Sequence, residues 1–292
     1  MLESDDYKLK IKLKINITNT MQDSGLKRNT VDKFYTKPCV VKKCIDYIKY
    51  FVEIDKKNDL VIEPSAGAGS FISNIKNICN NTRFYDIIPE HPEIIEQDYL
   101  SCDLSNYSQN IHIIGNPPFG RQSSLAIKFI KHSCKYCHSI SFILPKSFKK
   151  DSLKKKFPLN FHCVHESDIP NNSFLLNGED YDVPCVFQIW IKKDFNRETP
   201  EQLKPVGYSF VKKHENHDIS FRRVGVNAGN ISRDTDNKSE QSHYFIKFHD
   251  PLDNYTFKKI ESINFSESSD TVGPKSISKQ ELIKEFNPIL NF

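Results

Sequence analysis

Apolar residues along this chain fall into two kinds of run. Short unbroken ones, Leu60-Val61-Ile62, Ile113-Ile114 and Ser139 to Leu144, read as strands buried on both faces. Others recur at helical spacing: Val40, Val41, Cys44, Ile45, Tyr47 and Ile48 share one face of a helix, and Ser124 to Ile130 forms an amphipathic one. Phe161 to Ile169 and Val183 to Ile191 read as two further strands enclosing Pro170-Asn171-Asn172-Ser173-Phe174. Strands alternating with helices predict an α/β core. The polar run from Lys193 to Pro205 reads as a boundary. Beyond it, Tyr208 to Val211, Ser220 to Val224 and His243 to Phe248 surround a Ser/Asp/Asn-rich loop, Gly229 to Ser242. With a last helix opened by a Ser cap within Ser276 to Leu282, these segments predict a small α+β appendage. At the other end, Lys8 to Ile17 alternates basic and apolar residues, as an edge strand or a basic arm does. Three segments are therefore expected: an arm over 1–30, an α/β domain over 31–192 and the appendage over 205–292.

Composition narrows the class. At 38% hydrophobic and 12% aromatic, the 292 residues can bury a sizeable core, which excludes a compositionally disordered chain. A net charge of +4 permits a nucleic-acid partner without requiring one. Met1 to Thr20 is charged throughout and lacks an apolar centre, so it is expected to be neither a signal peptide nor an anchor, and no stretch reaches bilayer-spanning length. A soluble, intracellular protein with no membrane partner is expected. Met21 is an alternative start, and its use would remove the arm. The eight cysteines read as small apolar fillers of a reduced protein. Cys134-Lys-Tyr-Cys137-His138 has haem-attachment or half-zinc-site spacing, but lacks an export signal and a second ligand pair. It reads as a helix end entering the next strand, and no metal site is expected.

The candidate chemistry centres on Ile113-Ile114-Gly115-Asn116-Pro117-Pro118-Phe119-Gly120, a buried strand ending in a stiff loop. An exocyclic amine is a poor nucleophile because its lone pair is delocalised into the ring. If the Asn116 side-chain oxygen and a carbonyl of the Pro117-Pro118 pair each accept one N–H, the nitrogen is held toward tetrahedral geometry with its lone pair aimed outward. Phe119 offers a ring on which a flipped base can stack.

Upstream, Glu63-Pro64-Ser65-Ala66-Gly67-Ala68-Gly69 breaks the first strand into small residues before a helix, where glycines let backbone approach a ligand. It is not a full dinucleotide fingerprint. Asp86 lies roughly 20 residues past that loop, the offset at which an acid reaches ribose hydroxyls. Asp98 follows it. Lys33-Phe34-Tyr35-Thr36-Lys37-Pro38 opens the helix before the first core strand.

At Asn116 to Phe119 the chain resembles the S-adenosylmethionine-dependent amino-group methyltransferases, whose fourth motif is (Asp/Asn/Ser)-Pro-Pro-(Tyr/Phe/Trp). Glu63, Gly67 and Gly69 are similar to the first motif of that superfamily, and the Tyr35-Thr36 segment to the aromatic-Thr-Pro motif preceding the cofactor loop, although Lys37 separates Thr36 from Pro38 here. The order of these motifs is that of the gamma-type adenine-N6 methyltransferases, over roughly residues 33 to 192. The resemblance implies a Rossmann-like, seven-stranded, mostly parallel sheet with helices on both faces. It implies S-adenosylmethionine as cofactor, bound by Tyr35, Thr36, Glu63, Ser65, Gly67, Gly69, Asp86 and Asp98, with Glu63 near the amino acid end and Asp98 at the adenine amine. It further implies transfer of a methyl group to adenine in DNA or RNA at Asn116, Pro117, Pro118 and Phe119, with Phe174 helping to cage the base. The pattern is also like that of viral and bacterial methyltransferases of this length, which places the protein in a cytoplasm, the host's if viral.

Other basic segments read two ways. Arg222 and Arg223, with the small residues after them, either grip a nucleic-acid backbone or decorate a hairpin. The six lysines between Pro145 and Lys156 either guide phosphates or solvate a helix. Two rival functions remain: a protein glutamine-amide methyltransferase, which shares the Asn-Pro-Pro-aromatic signature but carries its extra domain before the core, and a non-catalytic nucleic-acid-binding module. The sequence leaves the oligomeric state open.

Overall fold

The computed structural model describes residues 34–176, 178–265 and 275–290; the Lys8 to Ile17 run and the arm over 1–30 lie outside the described residues. In chain order the core runs Tyr35–Thr36 (β1), Pro38–Phe51 (α1), Leu60–Glu63 (β2), Ile72–Ile78 (α2), Asn81–Asp86 (β3), Ile95–Glu96 (β4), Ile111–Gly115 (β5), Ser124–Ser133 (α3) and Ser139–Pro145 (β6). It continues through Asp151–Lys154 (α4), Phe161–Asp168 (β7), Phe174–Leu176 (β8), Glu179–Tyr181 (β9) and Cys185–Lys192 (β10).

Seven of these strands form one sheet in the order β4-β3-β2-β5-β6-β10-β7. Pairing is parallel from β4 to β6, while β10 runs antiparallel to both β6 and β7. Successive side chains point to opposite faces. Val61, Ile114, Ile143, Phe187 and Ile189 meet the stripe Val40, Val41, Cys44, Ile45 and Ile48 of α1, together with Ile72 and Ile75 of α2. Leu60, Ile62, Ile113, Phe142, Leu144 and Trp190 meet Ala126, Phe129 and Ile130 of α3 on the other side. Burial on both faces is why these strands are unbroken apolar runs rather than alternating ones. The proline near the start of α1 suits a first turn, whose N–H groups have no intrahelical acceptor.

The polar run after β10 is not a free linker throughout. Arg197 donates to the carbonyls of Lys154, Phe157, Pro158 and Phe161 and lies 5.3 Å from the Trp190 ring centroid. Trp190 is itself stacked on Phe157 at 4.0 Å.

Beyond it, Tyr208–Val211 (β11), Ile219–Arg222 (β12), Ile231–Ser232 (β13) and His243–Phe248 (β14) form an antiparallel sheet in the order β11-β14-β12-β13. With Asn254–Glu261 (α5) and Lys279–Leu290 (α6) it encloses a second core around Tyr208, Phe221, Ile260 and Phe286. A reciprocal box starts α6: Glu281 N–H donates to Ser278 Oγ at 3.2 Å and Ser278 N–H donates to the Glu281 carboxylate at 2.7 Å. Lys150 joins the two parts, donating to the Ser276 carbonyl at 2.7 Å and pairing with Glu281 at 3.3 Å. Lys146 and Lys149 pair with Asp168, and Lys154 pairs with Glu166. Much of the lysine run thus faces partners within the protein, which weakens the phosphate-guiding reading of that segment.

Candidate active site

β2 lies between β3 and β5, and the chain builds outward from it first toward β4 and then toward β6. In open α/β sheets the crevice at such a reversal, at the carboxyl ends of the strands, is where ligands bind. Glu63 ends β2, Asp86 ends β3, and Gly115 ends β5 immediately before Asn116. Strand topology therefore brings together residues that are 53 positions apart in sequence.

The loop after β2 is shaped by Asp86. Gly67, at a left-handed φ of +53°, donates its N–H to Asp86 Oδ2 at 2.7 Å, and Ile88 N–H donates to Oδ1 at 2.9 Å. A carboxylate has about four acceptor positions. Asp86 thus organises the loop and keeps capacity for further donors. Asp98 is exposed and caps the turn Tyr99–Ser101, accepting from Leu100 N–H at 2.9 Å. Its segment is held beside Asp86 by the bond from Gln97 N–H to the Asp86 carbonyl, 2.9 Å. On the opposite side of the loop, the Tyr35 hydroxyl bonds both Glu90 carboxylate oxygens at 2.8 and 2.9 Å, while Glu90 N–H donates to the Gly67 carbonyl at 3.0 Å. Burial first, and Glu90 second, push the Tyr35 hydroxyl up, so it remains protonated and donates.

Glu63 is 2% exposed and its Oε2 has no partner. Burial, and secondarily the charge of Asp86, push its carboxyl well above the usual carboxylate range, so the free protein holds it neutral. Gly115 makes room for it: a Cβ there would lie 3.3 Å from Glu63 Cγ and 3.5 Å from Pro64 Cδ.

Asn116 is fixed from two sides. Its backbone carbonyl accepts from Ser65 Oγ at 3.2 Å, and its Nδ2 donates to Thr36 Oγ1 at 3.3 Å. Its Oδ1 is buried and has no partner. Pro117 and Pro118 follow without N–H groups of their own. Phe119 is half-buried, packs against the clusters on both sheet faces, and its carbonyl accepts from Leu125 and Ala126 N–H at the start of α3. The chemistry available here is mainly acceptor chemistry: the orphaned buried Asn116 Oδ1, further capacity on Asp86, and Glu63, whose unpartnered Oε2 becomes an acceptor once its carboxyl ionises.

Three residues expected to contact substrate make contacts within the protein. Phe174 is 1% exposed, lies opposite Thr36 in the β1–β8 register and packs edge-on to Phe34 at 6.5 Å. It supports β1 and has no free face for a base, which corrects the expectation that it cages one. Arg222 and Arg223 belong to the C-terminal sheet. Arg222 Nε donates to the Val224 carbonyl at 3.2 Å, and Arg223 donates to the Gln241 carbonyl at 2.8 Å with its guanidinium 5.4 Å from the Tyr244 ring centroid.

Cys134 and Cys137 fill the turn between α3 and β6. Burial pushes both thiols up, Cys134 to about 12, so neither is a ready ligand. No cluster of metal-ligating side chains occurs among the described residues.

A second polar group lies at the opposite edge of the sheet, where Asp59, His112 and Ser139 are all buried. His112 Nδ1 is 2.7 Å from Ser139 Oγ and Nε2 is 3.2 Å from Asp59. Burial outweighs Asp59 and lowers the His112 pKa, leaving a neutral ring that donates to the carboxylate and accepts from the hydroxyl. With Ser139 only 2% exposed, this constellation staples β5 to β6 rather than meeting a substrate.

Glu90 and Gly115 were not legible as site residues in the sequence. Glu90 carries no motif, whereas Gly115, at the end of an apolar strand and before Asn116, has the pattern of a close backbone approach.

No family model matches the chain. It is 22% identical over 214 residues to Protein ENHANCED DOWNY MILDEW 2 of Arabidopsis thaliana, a stretch that is 66% of this chain and 16% of that protein. The chain thus spans about one sixth of that relative's length. Among solved structures it is similar to the 23S rRNA methyltransferase ErmE, with TM-score 0.43 and 12% identity over 56% of this chain and 71% of that one. TrmN from Thermus thermophilus gives 0.38 and 13%, over 53% and 49% of the two chains. A type I restriction-modification methyltransferase subunit from Streptococcus thermophilus gives 0.41 and 15%, over 56% and 45%.

Proposed function

We propose that this chain is an S-adenosylmethionine-dependent methyltransferase acting on the exocyclic amino group of adenine in a nucleic acid. The observation that carries the reading is the buried, unpartnered Asn116 Oδ1 at the carboxyl edge of the sheet, with the buried, unpartnered Glu63 Oε2 at the end of the adjacent strand. A buried polar atom without a partner costs about 1–3 kcal/mol, so two at the ends of neighbouring strands argue for ligands that supply the partners.

The acceptors present fit the cofactor. Glu63 suits its ammonium group, the remaining capacity of Asp86 suits the ribose hydroxyls, and Asp98 suits the adenine amine. Ser65, Gly67 and Gly69 let the backbone approach, with Tyr35 and Thr36 along the neighbouring wall. The cofactor supplies a methyl group activated on a sulfonium. Asn116 Oδ1 takes one N–H of the target amine and a carbonyl of Pro117 or Pro118 takes the other, so the lone pair points away from both acceptors. Phe119 is wedged between the two cores and presents a half-buried ring for the base. In this reading residues 31–192 carry the chemistry and the segment 205–292 captures the polymer.

The direct test is incubation with labelled cofactor and separate pools of DNA, RNA and protein, followed by nucleoside analysis. Label in N6-methyladenine is expected. Label confined to protein, or to another nucleoside, would overturn the adenine assignment.

A further inference from the structure

Asn116 can meet an amine only with its oxygen facing the crevice. A primary amide has two orientations of nearly equal shape related by a half-turn, and the wrong one would present two N–H donors to a substrate that also brings donors. Asn116 Nδ2 donates to Thr36 Oγ1 at 3.3 Å while Oδ1 stays without a partner. We infer that Thr36 is a positioning residue whose hydroxyl holds the Asn116 amide oxygen toward the substrate, an assignment that rests on the proposed transfer to an amine.

The hydroxyl can accept or donate, so it does not forbid the reversed amide by itself. The balance of unmet groups selects the orientation. As observed, one acceptor is left open. Reversal would give that acceptor to the Thr36 hydroxyl and leave the amide presenting only N–H donors to an incoming amine. With Thr36 replaced by valine, neither end of the amide has a partner at that wall, and the preference disappears.

Thr36 is itself held rigidly. It is 5% exposed, and β1 pairs antiparallel with β8, placing Thr36 opposite the buried Phe174. Phe34 stacks on Tyr181 of β9 at 5.1 Å, and Lys37 pairs with Asp180 at 2.6 Å. The three-stranded sheet β1-β8-β9 is therefore a support for one hydroxyl, which accounts for a buried aromatic at Phe174 that does not meet substrate. Tyr35, the adjacent residue, turns its ring to Gly67 and Glu90. One two-residue strand thus serves the cofactor loop with one side chain and the amide with the next.

Three proteins decide the matter: wild type, Thr36→Val, which keeps shape and removes the hydroxyl, and Thr36→Ser, which restores it. The amide resonances of the Asn116 side chain, assigned by comparison with Asn116→Ala, report the bond without any turnover. A slowly exchanging Nδ2 proton is expected in wild type and Thr36→Ser and lost in Thr36→Val. In single-turnover methylation at saturating cofactor, where any weakening of cofactor binding is masked, Thr36→Val should be slower by tenfold or more and Thr36→Ser within about threefold of wild type. An unaltered Asn116 signal in Thr36→Val would overturn the inference. So would a Thr36→Val rate that returns to wild type once cofactor saturates, because Thr36 would then bind cofactor only. Failure of wild type to methylate any nucleic acid would instead remove the proposed function, and the resonance would still report whether Thr36 holds the amide.

Discussion

The backbone N–H of Gly67 donates to Asp86 Oδ2 at 2.7 Å, tying the loop that ends one strand to the acid that ends its neighbour. Asp86→Asn should therefore disturb loop and ligand together: an asparagine side chain has one acceptor oxygen for the two N–H groups, of Gly67 and Ile88, that the carboxylate serves. Cofactor affinity should fall tenfold or more, about 1.5–3 kcal/mol for hydrogen bonds to a charged group. Gly67→Val should abolish binding, because a β-branched residue does not tolerate φ of +53° and its side chain would grow toward the Tyr35 ring. Calorimetric titration with S-adenosylmethionine checks both, and unchanged affinity in either variant would place the cofactor elsewhere.

Glu63 makes a pH prediction of definite sign. Its folded-state pKa is raised, by burial first and Asp86 second, so its favourable contribution is fully present below the ordinary glutamate value and declines as pH rises through the raised one. Glu63→Gln cannot ionise and should gain stability relative to wild type as pH rises above about 5, measured as the shift in denaturant midpoint. A cation arriving at Oε2 favours the ionised form, so cofactor binding should release a proton and tighten with pH. Identical apparent binding enthalpies in buffers of different ionisation enthalpy would contradict this.

Arg197 tests the architecture apart from the chemistry. Its guanidinium donates to four backbone carbonyls and covers Trp190. Lysine carries the charge without the planar fork. Arg197→Lys should lower unfolding free energy by about 2–3 kcal/mol with the denaturant slope unchanged and cofactor affinity intact.

Removing residues from about 205 onward should leave cofactor binding measurable and weaken nucleic-acid binding, because the acceptors gathered at the carboxyl edge all precede that point. Lys150→Ala should loosen the same junction more gently by deleting its contacts to Ser276 and Glu281. Polymer affinity measured by fluorescence anisotropy at fixed salt reads both. A truncated chain that binds nucleic acid as tightly as the full one would refute a capture role for the C-terminal part.

Much of this arrangement was legible in the chain. The unbroken runs at Leu60, Ile113 and Ser139 read as buried strands, and the spacing from Val40 to Ile48 as one apolar face of a helix. Asn116 stood out because an amide, two prolines and an aromatic ring end an apolar strand, and Glu63 because it opens a stretch similar to the first motif of the methyltransferase superfamily. Pairings between distant elements were not legible. Nothing local in Thr36 says that it meets Asn116, and nothing in Glu90 says that it meets Tyr35; both contacts follow from topology. Phe174 was expected to cage a base on the resemblance alone, and nothing local shows that pairing with β1 buries it.

The central claim is that Asn116 activates an amine, and single-turnover methylation by Asn116→Ala at saturating cofactor tests it most directly. The substitution removes one oriented acceptor while leaving the backbone and Phe119 in place. The account predicts a transfer rate lower by a hundredfold or more, on the order of 3 kcal/mol, with cofactor affinity unchanged. A variant that methylates nucleic acid at the wild-type rate would contradict it and leave this loop as packing alone.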